Sequence, residues 1–149
     1  MNIKENLLKM KNMTEHMLDL AYSAVFLEDR EILDEVKQMH FEMSILEENT
    51  LKMLFKVKES EADRLFLLDL IGSMKEISNA ALHIGVLAEK KAPSIVNEIL
   101  KESHNKVISA KISSQSPYSN KTIGESKIWQ ETNVKILGVK RGKKWIFDI

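Results

Sequence analysis

The sequence predicts an α+β chain: an N-terminal antiparallel bundle of three long helices followed by a small β-α-β-β domain. Three observations carry this. The first hundred residues hold two glycines and one proline, a composition that lets helices run long. Ile32, Val36, Met39, Met43, Leu46, Thr50, Met53 and Val57 recur in alternating steps of four and three, the seam of a packed bundle. Beyond residue 104 the apolar period shortens from helical to alternating.

The first helix is expected from about Lys4 to Leu27, with Leu7, Met10, Met17, Leu20, Ala24 and Leu27 on one stripe. The second carries the seam above. The third repeats it through Phe66, Leu70, Met74, Ile77, Ala81, Ile84 and Ala88. Connections at Glu28–Arg30 and Lys58–Ser60 are short and polar, so consecutive helices should be antiparallel. Ser60 reads as an N-cap with Asp63 three residues on. Pro93 is expected to stop the third helix, and a short helix from about Ser94 to Asn105 to serve as connector.

Val107, Ser109, Lys111 and Ser113 alternate with Ile108, Ala110 and Ile112, which predicts a strand. Ile123, Ile128 and Trp129 give a short helix its apolar side. Val134–Val139 and Lys144–Ile149 read as two more strands joined through Arg141, Gly142 and Lys143. The expected domains are residues 1–103 and 104–149. Val107, Ile112, Ile128, Val134, Ile136, Val139 and Ile146 are the expected core or partner face of the sheet.

Composition bounds the chemistry. At 149 residues, 44% hydrophobic and 30% charged, the chain fits a globular, helix-rich protein. With no cysteine, disulfides, thiolate metal sites and cysteine nucleophiles are excluded, which suits a reducing, cytoplasmic setting. No apolar run is long enough to span a bilayer, and no signal peptide is visible after Met1, so any membrane connection should pass through a partner. The net charge of zero divides unevenly: residues 101–149 carry 10 Lys/Arg against 4 Asp/Glu, and residues 1–100 carry 12 against 18.

No residue set suggests a catalyst. His16, His40, His83 and His104 lie far apart without ligand spacing, and the acidic clusters at Glu28–Asp29, Asp34–Glu35 and Glu47–Glu48 read as solvated faces. The methionines fall mostly on the apolar stripes, where a flexible thioether fills a core or suits an adaptable partner. Three stripe-bearing helices leave a seam that invites self-association. The run Lys140, Arg141, Lys143, Lys144 beside Trp145 has chemistry suited to phosphate, a nucleotide or nucleic acid; a charged, solvated hairpin tip is the plainer reading.

Two resemblances refine this. Asp29, Ile32, Glu35 and Val36, then Leu46, Glu47 and Glu48, with Met74 to Ile84 on the third helix, resemble one repeat of the PhoU-like family of phosphate-uptake regulators. That family's metal pattern, an acidic residue followed four later by aspartate on both helices, falls here on His40, Ser44, Lys75 and Asn79. Three of these supply neither carboxylate nor imidazole, and Lys75 would repel a cation, so no metal and no other cofactor is expected. Ser116, Pro117, Asn120 to Glu125, Thr132 to Val134 and Val139 to Gly142 resemble the TrkA-C module of potassium-channel and transporter regulators. The module continues past Phe147 into a short helix, a turn and a final strand, so this copy is expected to be incomplete at its C-terminus.

The resemblance implies a non-enzymatic, ligand-sensing cytosolic regulator of potassium or other cation transport, a homodimer through both modules, partnered with a membrane channel or transporter subunit. It also implies a small anionic or nucleotide ligand at Asn120, Lys121 and Thr122, before a helix N-terminus whose free N–H groups favour anions, with Lys140 and Arg141 approaching from the hairpin. The alternatives are a nucleic-acid-associated protein using the basic half and a PhoU-like regulator of phosphate uptake. A metal-dependent enzyme ranks last, for want of ligands.

Overall fold

A computed structural model describes residues 2–103 and 107–147. It is mostly helical, with one small two-stranded antiparallel sheet near the C-terminus. Contacts divide the chain into two compact units, residues 1–104 and 105–149. The expected domain boundary at His104 lies on residues outside those described.

The first unit is built from α1 (Ile3–Leu27), α2 (Arg30–Leu54) and α3 (Glu61–Val86), with α4 (Ser94–Glu102) after them. Each long helix is started by a side chain. Asn2 accepts from the Glu5 N–H at 2.9 Å while the Glu5 carboxylate accepts from the Asn2 N–H at 3.0 Å, a complete capping box. Asp29 accepts from the Glu31 N–H at 2.9 Å, and Ser60 from the Asp63 N–H at 3.1 Å. Glu28, held left-handed at φ 49°, ends α1 one residue before the Asp29 cap, and so short a joint turns α2 back along α1.

Side-chain bonds confirm the directions. Asn6 at the start of α1 donates to Thr50 near the end of α2, at 3.1 Å. His40 meets Asn79, and Lys37 pairs with Glu89 at 3.0 Å, so α2 and α3 are antiparallel. Both being antiparallel to α2, α1 and α3 run parallel to each other, and Met17 accepts from Ser78 between them at 3.4 Å. Met10, Met17, Leu20, Leu33, Val36, Met43, Leu54 and Ile71 form the buried centre.

Three expectations for this unit are corrected. The inward seam of α3 is Ile71, Met74, Ser78, Ala81 and Gly85, continued by Ala88 in a 3-10 turn at Leu87–Glu89. Of the expected stripe only Met74, Ala81 and Ala88 are buried; Phe66, Leu70 and Ile77 face solvent, and Ile84 is half-buried. The reason is close approach: a Cβ on Gly85 would stand 3.2 Å from Leu33 Cδ1 and 3.8 Å from the Ala21 backbone, so small residues face inward. The methionine seam is the core itself and is not spare: Met10, Met13, Met17, Met39, Met43 and Met74 are all buried. The third helix also ends at Val86, well before Pro93, which instead sits at the N-cap of α4.

The second unit holds α5 (Ile123–Ser126), α6 (Ile128–Thr132), β1 (Val139–Arg141) and β2 (Lys144–Ile146). The β-α-β-β order is corrected at its first strand: residues 107–113 form none, and Ile108 and Ile112 are 70% and 52% exposed. Alternation supplies an apolar face, but a strand also needs a neighbour to pair with, and none of the described strands lies there. Of Val134–Val139 only Val139 joins the ladder, and the last expected strand spans Lys144–Ile146, with Asp148 and Ile149 outside the described residues. The expected single helix is two, because Lys127 adopts φ 51° between them. The expected sheet core is corrected too. Val107, Ile128, Ile136 and Val139 are half-buried, Ile112, Val134 and Ile146 are exposed, and only Ser126 is buried among the unit's described residues.

The hairpin pairs Val139 with Ile146, Lys140 with Trp145 and Arg141 with Lys144. Gly142 takes φ 63° at the first turn position, as a type II′ turn demands. Trp145 and Phe147 stack at 5.4 Å over Gly138, where a Cβ would come within 2.8 Å of Phe147 Cδ1. Gly138→Ala should therefore push Phe147 off the stack and destabilise this unit by about 1–3 kcal/mol, the usual cost of overpacking. Tryptophan fluorescence during urea unfolding would show the earlier transition.

Candidate functional site

The residues expected to bind a ligand fall on two features of the second unit, a turn at 120–122 and the hairpin. Asn120 is left-handed at φ 59°, a conformation asparagine tolerates better than most residues, and Lys121, which follows it, is exposed. Thr122 is the N-cap of α5: its hydroxyl oxygen accepts from the Glu125 N–H at 3.2 Å. The Glu125 carboxylate in turn accepts from the Thr122 N–H and hydroxyl, each at 2.9 Å.

This reciprocal box changes the chemistry of the turn. A carboxylate of the chain already stands at the helix start, and a helix of four residues sums few peptide dipoles. The turn therefore offers an ammonium and an amide side chain rather than an open helix terminus. The pattern Thr-x-x-Glu was legible in the sequence as a capping box, and sequence reasoning passed over Glu125.

The hydrogen bond from the Thr122 backbone, then that from its hydroxyl, hold the Glu125 carboxyl below its usual pKa, with Lys121 adding a smaller pull. A depressed carboxylate stabilises the fold above its ordinary pKa and loses that contribution as pH falls through the lowered value. Acidification below the usual carboxylate range should thus uncap α5. The amide resonances of Thr122 and Glu125 should report it, and Glu125→Gln should remove the pH dependence.

Nearby, the Tyr118 hydroxyl donates to Glu131 at 2.8 Å, ties the 116–120 turn to α6 and raises the tyrosine's pKa. Ile123, Gly124, Trp129, Gln130, Val134, Lys135 and Ile136 line a shallow groove of about 310 Å³. Trp129, 57% exposed, presents much of its ring to solvent there. The groove was not anticipated, although Ile123 and Trp129 were placed on an apolar side.

The hairpin concentrates positive charge. Lys140 lies over the Trp145 ring at 5.4 Å, a cation–π contact. Arg141 stands directly opposite Lys144 in the ladder. Like charges in that position repel, so an anion between them would relieve the hairpin as well as be held by it. Arg141, Lys143 and Lys144 are exposed, and none of the three has an ion-pair partner among the described residues.

In the first unit, His40, Ser44, Lys75 and Asn79 meet across the α2–α3 interface. His40 Nε2 donates to Asn79 Oδ1 at 2.9 Å, the Ser44 hydroxyl donates to the His40 carbonyl at 3.1 Å, and Lys75 Nζ bonds Ser44 and lies 4.0 Å from Glu47. The ammonium thus sits between a neutral hydroxyl and one carboxylate. Among the described residues no three His, Asp or Glu converge on a point that could hold a metal. No described helix is long and apolar enough to cross a membrane.

Compared with known proteins, the chain matches no family model and no curated protein.

Proposed function

We propose that the chain is a ligand-responsive regulatory protein of cation transport, specifically of potassium, acting in the cytosol as a homodimer attached to a channel or transporter subunit. The observation that carries the reading is the succession over 116–146: a Pro117–Asn120 turn, a capped helix, and a basic Gly142 hairpin. The TrkA-C resemblance rests on the same succession. In this reading the second unit senses a small anion or nucleotide. Lys140 and Arg141 hold the phosphate, with Asn120 and Lys121 as further polar contacts on the turn that the Thr122–Glu125 box holds, and the Trp129 groove offers an apolar wall for a base. The ligand acts by binding one dimer geometry more tightly than another, the only way a ligand shifts such an equilibrium. The first unit supplies the contact surface.

The exposed Arg141, Lys143 and Lys144 favour one other reading, nucleic-acid binding, in which affinity would fall steeply with added salt. Isothermal titration of the full chain with inorganic phosphate, ATP, cyclic dinucleotides and a short oligonucleotide separates the two. The proposal expects saturable binding of one small anion and weak, salt-sensitive retention of the oligonucleotide. Silence across all the small anions would refute it.

A further inference from the structure

α3 carries a second heptad seam besides the one it turns inward. Phe66, Leu70, Ser73, Ile77, Ala80 and Ile84 follow steps of four, three, four, three and four. Phe66 is 68% exposed, Leu70 and Ile77 are each 39% exposed, and Ser73 and Ala80 lie in solvent. The inward seam runs through Ile71, Met74, Ser78, Ala81 and Gly85, and Lys75 and Asn79 mark its flank toward α2. The second seam therefore lies on the opposite flank, away from α2.

Its side chains are ordered by size about a midpoint near Lys75. Reversed on itself, the seam sets Phe66 against Ile84, Leu70 against Ala80 and Ile77 against Ser73, each larger side chain facing a smaller one. That is the complementarity two antiparallel copies need to interlock, and a twofold axis delivers it twice over. We infer that a second copy of this chain packs its α3 antiparallel along this seam. The inference names the surface of the homodimer in the proposed reading and rests on that reading for the dimer.

The size is sufficient. The seam spans roughly 27 Å of helix at 1.5 Å per residue, and two such helices with their flanking side chains bury on the order of the ~1,000 Å² that a specific interface needs. The charges along its edge are mixed. Asp69 falls beside the partner's His83, and Glu76 falls beside the partner's Glu76 at the axis. The second pair opposes association, which gives the interface a signature: neutralising Glu76 should tighten it.

Sedimentation equilibrium of the full chain is expected to show a dimer at tens of micromolar. Ile77→Asp, at an exposed position, should raise the dissociation constant tenfold or more with helical content unchanged by circular dichroism, and Glu76→Gln should lower it. Because the chain has no cysteine, the direction can be read by cross-linking. Leu70→Cys chains mixed with Ala80→Cys chains should form disulfides, and Leu70→Cys chains alone should not. A monomer at those concentrations would overturn the inference and leave the seam to the chain's own α4, whose Ile95 and Ile99 are equally exposed. An unchanged dimer with Ile77→Asp, or self-linking of Leu70→Cys as a parallel pair, would overturn it as well. A chain silent to every small anion that still dimerises through α3 removes the proposed ligand and keeps this pairing; a monomer that binds an anion does the reverse.

Discussion

Leu33→Ala is expected to lower the stability of the helical unit by about 2–5 kcal/mol, the range for emptying a well-packed leucine site. Leu33 is 1% exposed, and its Cδ1 reaches the place where a Gly85 side chain would begin. The cost should fall in the upper half of that range, because a glycine has no side chain to collapse into the hole. The three helices close on this point from different directions, with Val36 and Ala21 completing the wall. Urea unfolding followed by helical circular dichroism should show a lower midpoint with an unchanged slope, since the native surface changes little.

Arg141→Ala is expected to weaken binding of a small anion tenfold or more. Removing one charge-assisted contact costs about 1.5–3 kcal/mol, and each 1.4 kcal/mol is about a factor of ten in affinity. Arg141→Lys should recover only part of this, since an ammonium lacks the planar fork that grips two phosphate oxygens. The hairpin should survive both changes. Arg141 faces Lys144 across the ladder, so the alanine variant removes a repulsion in the free protein while it removes an attraction in the complex. Titration calorimetry reads the affinity, and Trp145 fluorescence checks the fold. Parent-like affinity in Arg141→Ala would place the anion elsewhere.

Where the sequence spoke through local side-chain rules it was legible. Ser60 marks the start of α3 because a short polar side chain must meet the first free N–H groups, and Asp29, read only as part of a polar connection, does the same for α2. The seam of α2 was legible through its large residues, of which Ile32, Val36, Met39, Met43 and Leu46 are buried. The seam of α3 was not, because Ser78, Ala81 and Gly85 are chosen for their smallness and leave no hydrophobic signal. The strongest apolar periodicity on that helix belongs to the surface instead.

In the second unit the hairpin was legible from Gly142, whose positive φ no other residue near it could take as cheaply. The break at Lys127 was not, since lysine carries no turn preference that would announce a φ of 51°. Residues 107–113 have a strand's alternation without a strand's neighbour, and pairing is a long-range property that a local pattern cannot supply. Within the candidate site, Lys140 and Arg141 lie on β1, past the Val139 end that the sequence pattern gives this strand, and the role of Glu125 and the Trp129 groove emerged only from the folded chain.

Potassium-analogue uptake in the cell that encodes this chain tests the central claim most directly. Rubidium influx should change when the chain is removed, return with the natural sequence, and stay altered with Arg141→Ala expressed at the same level. Influx that is identical with and without the chain, across low and high external potassium, would contradict a role in cation transport.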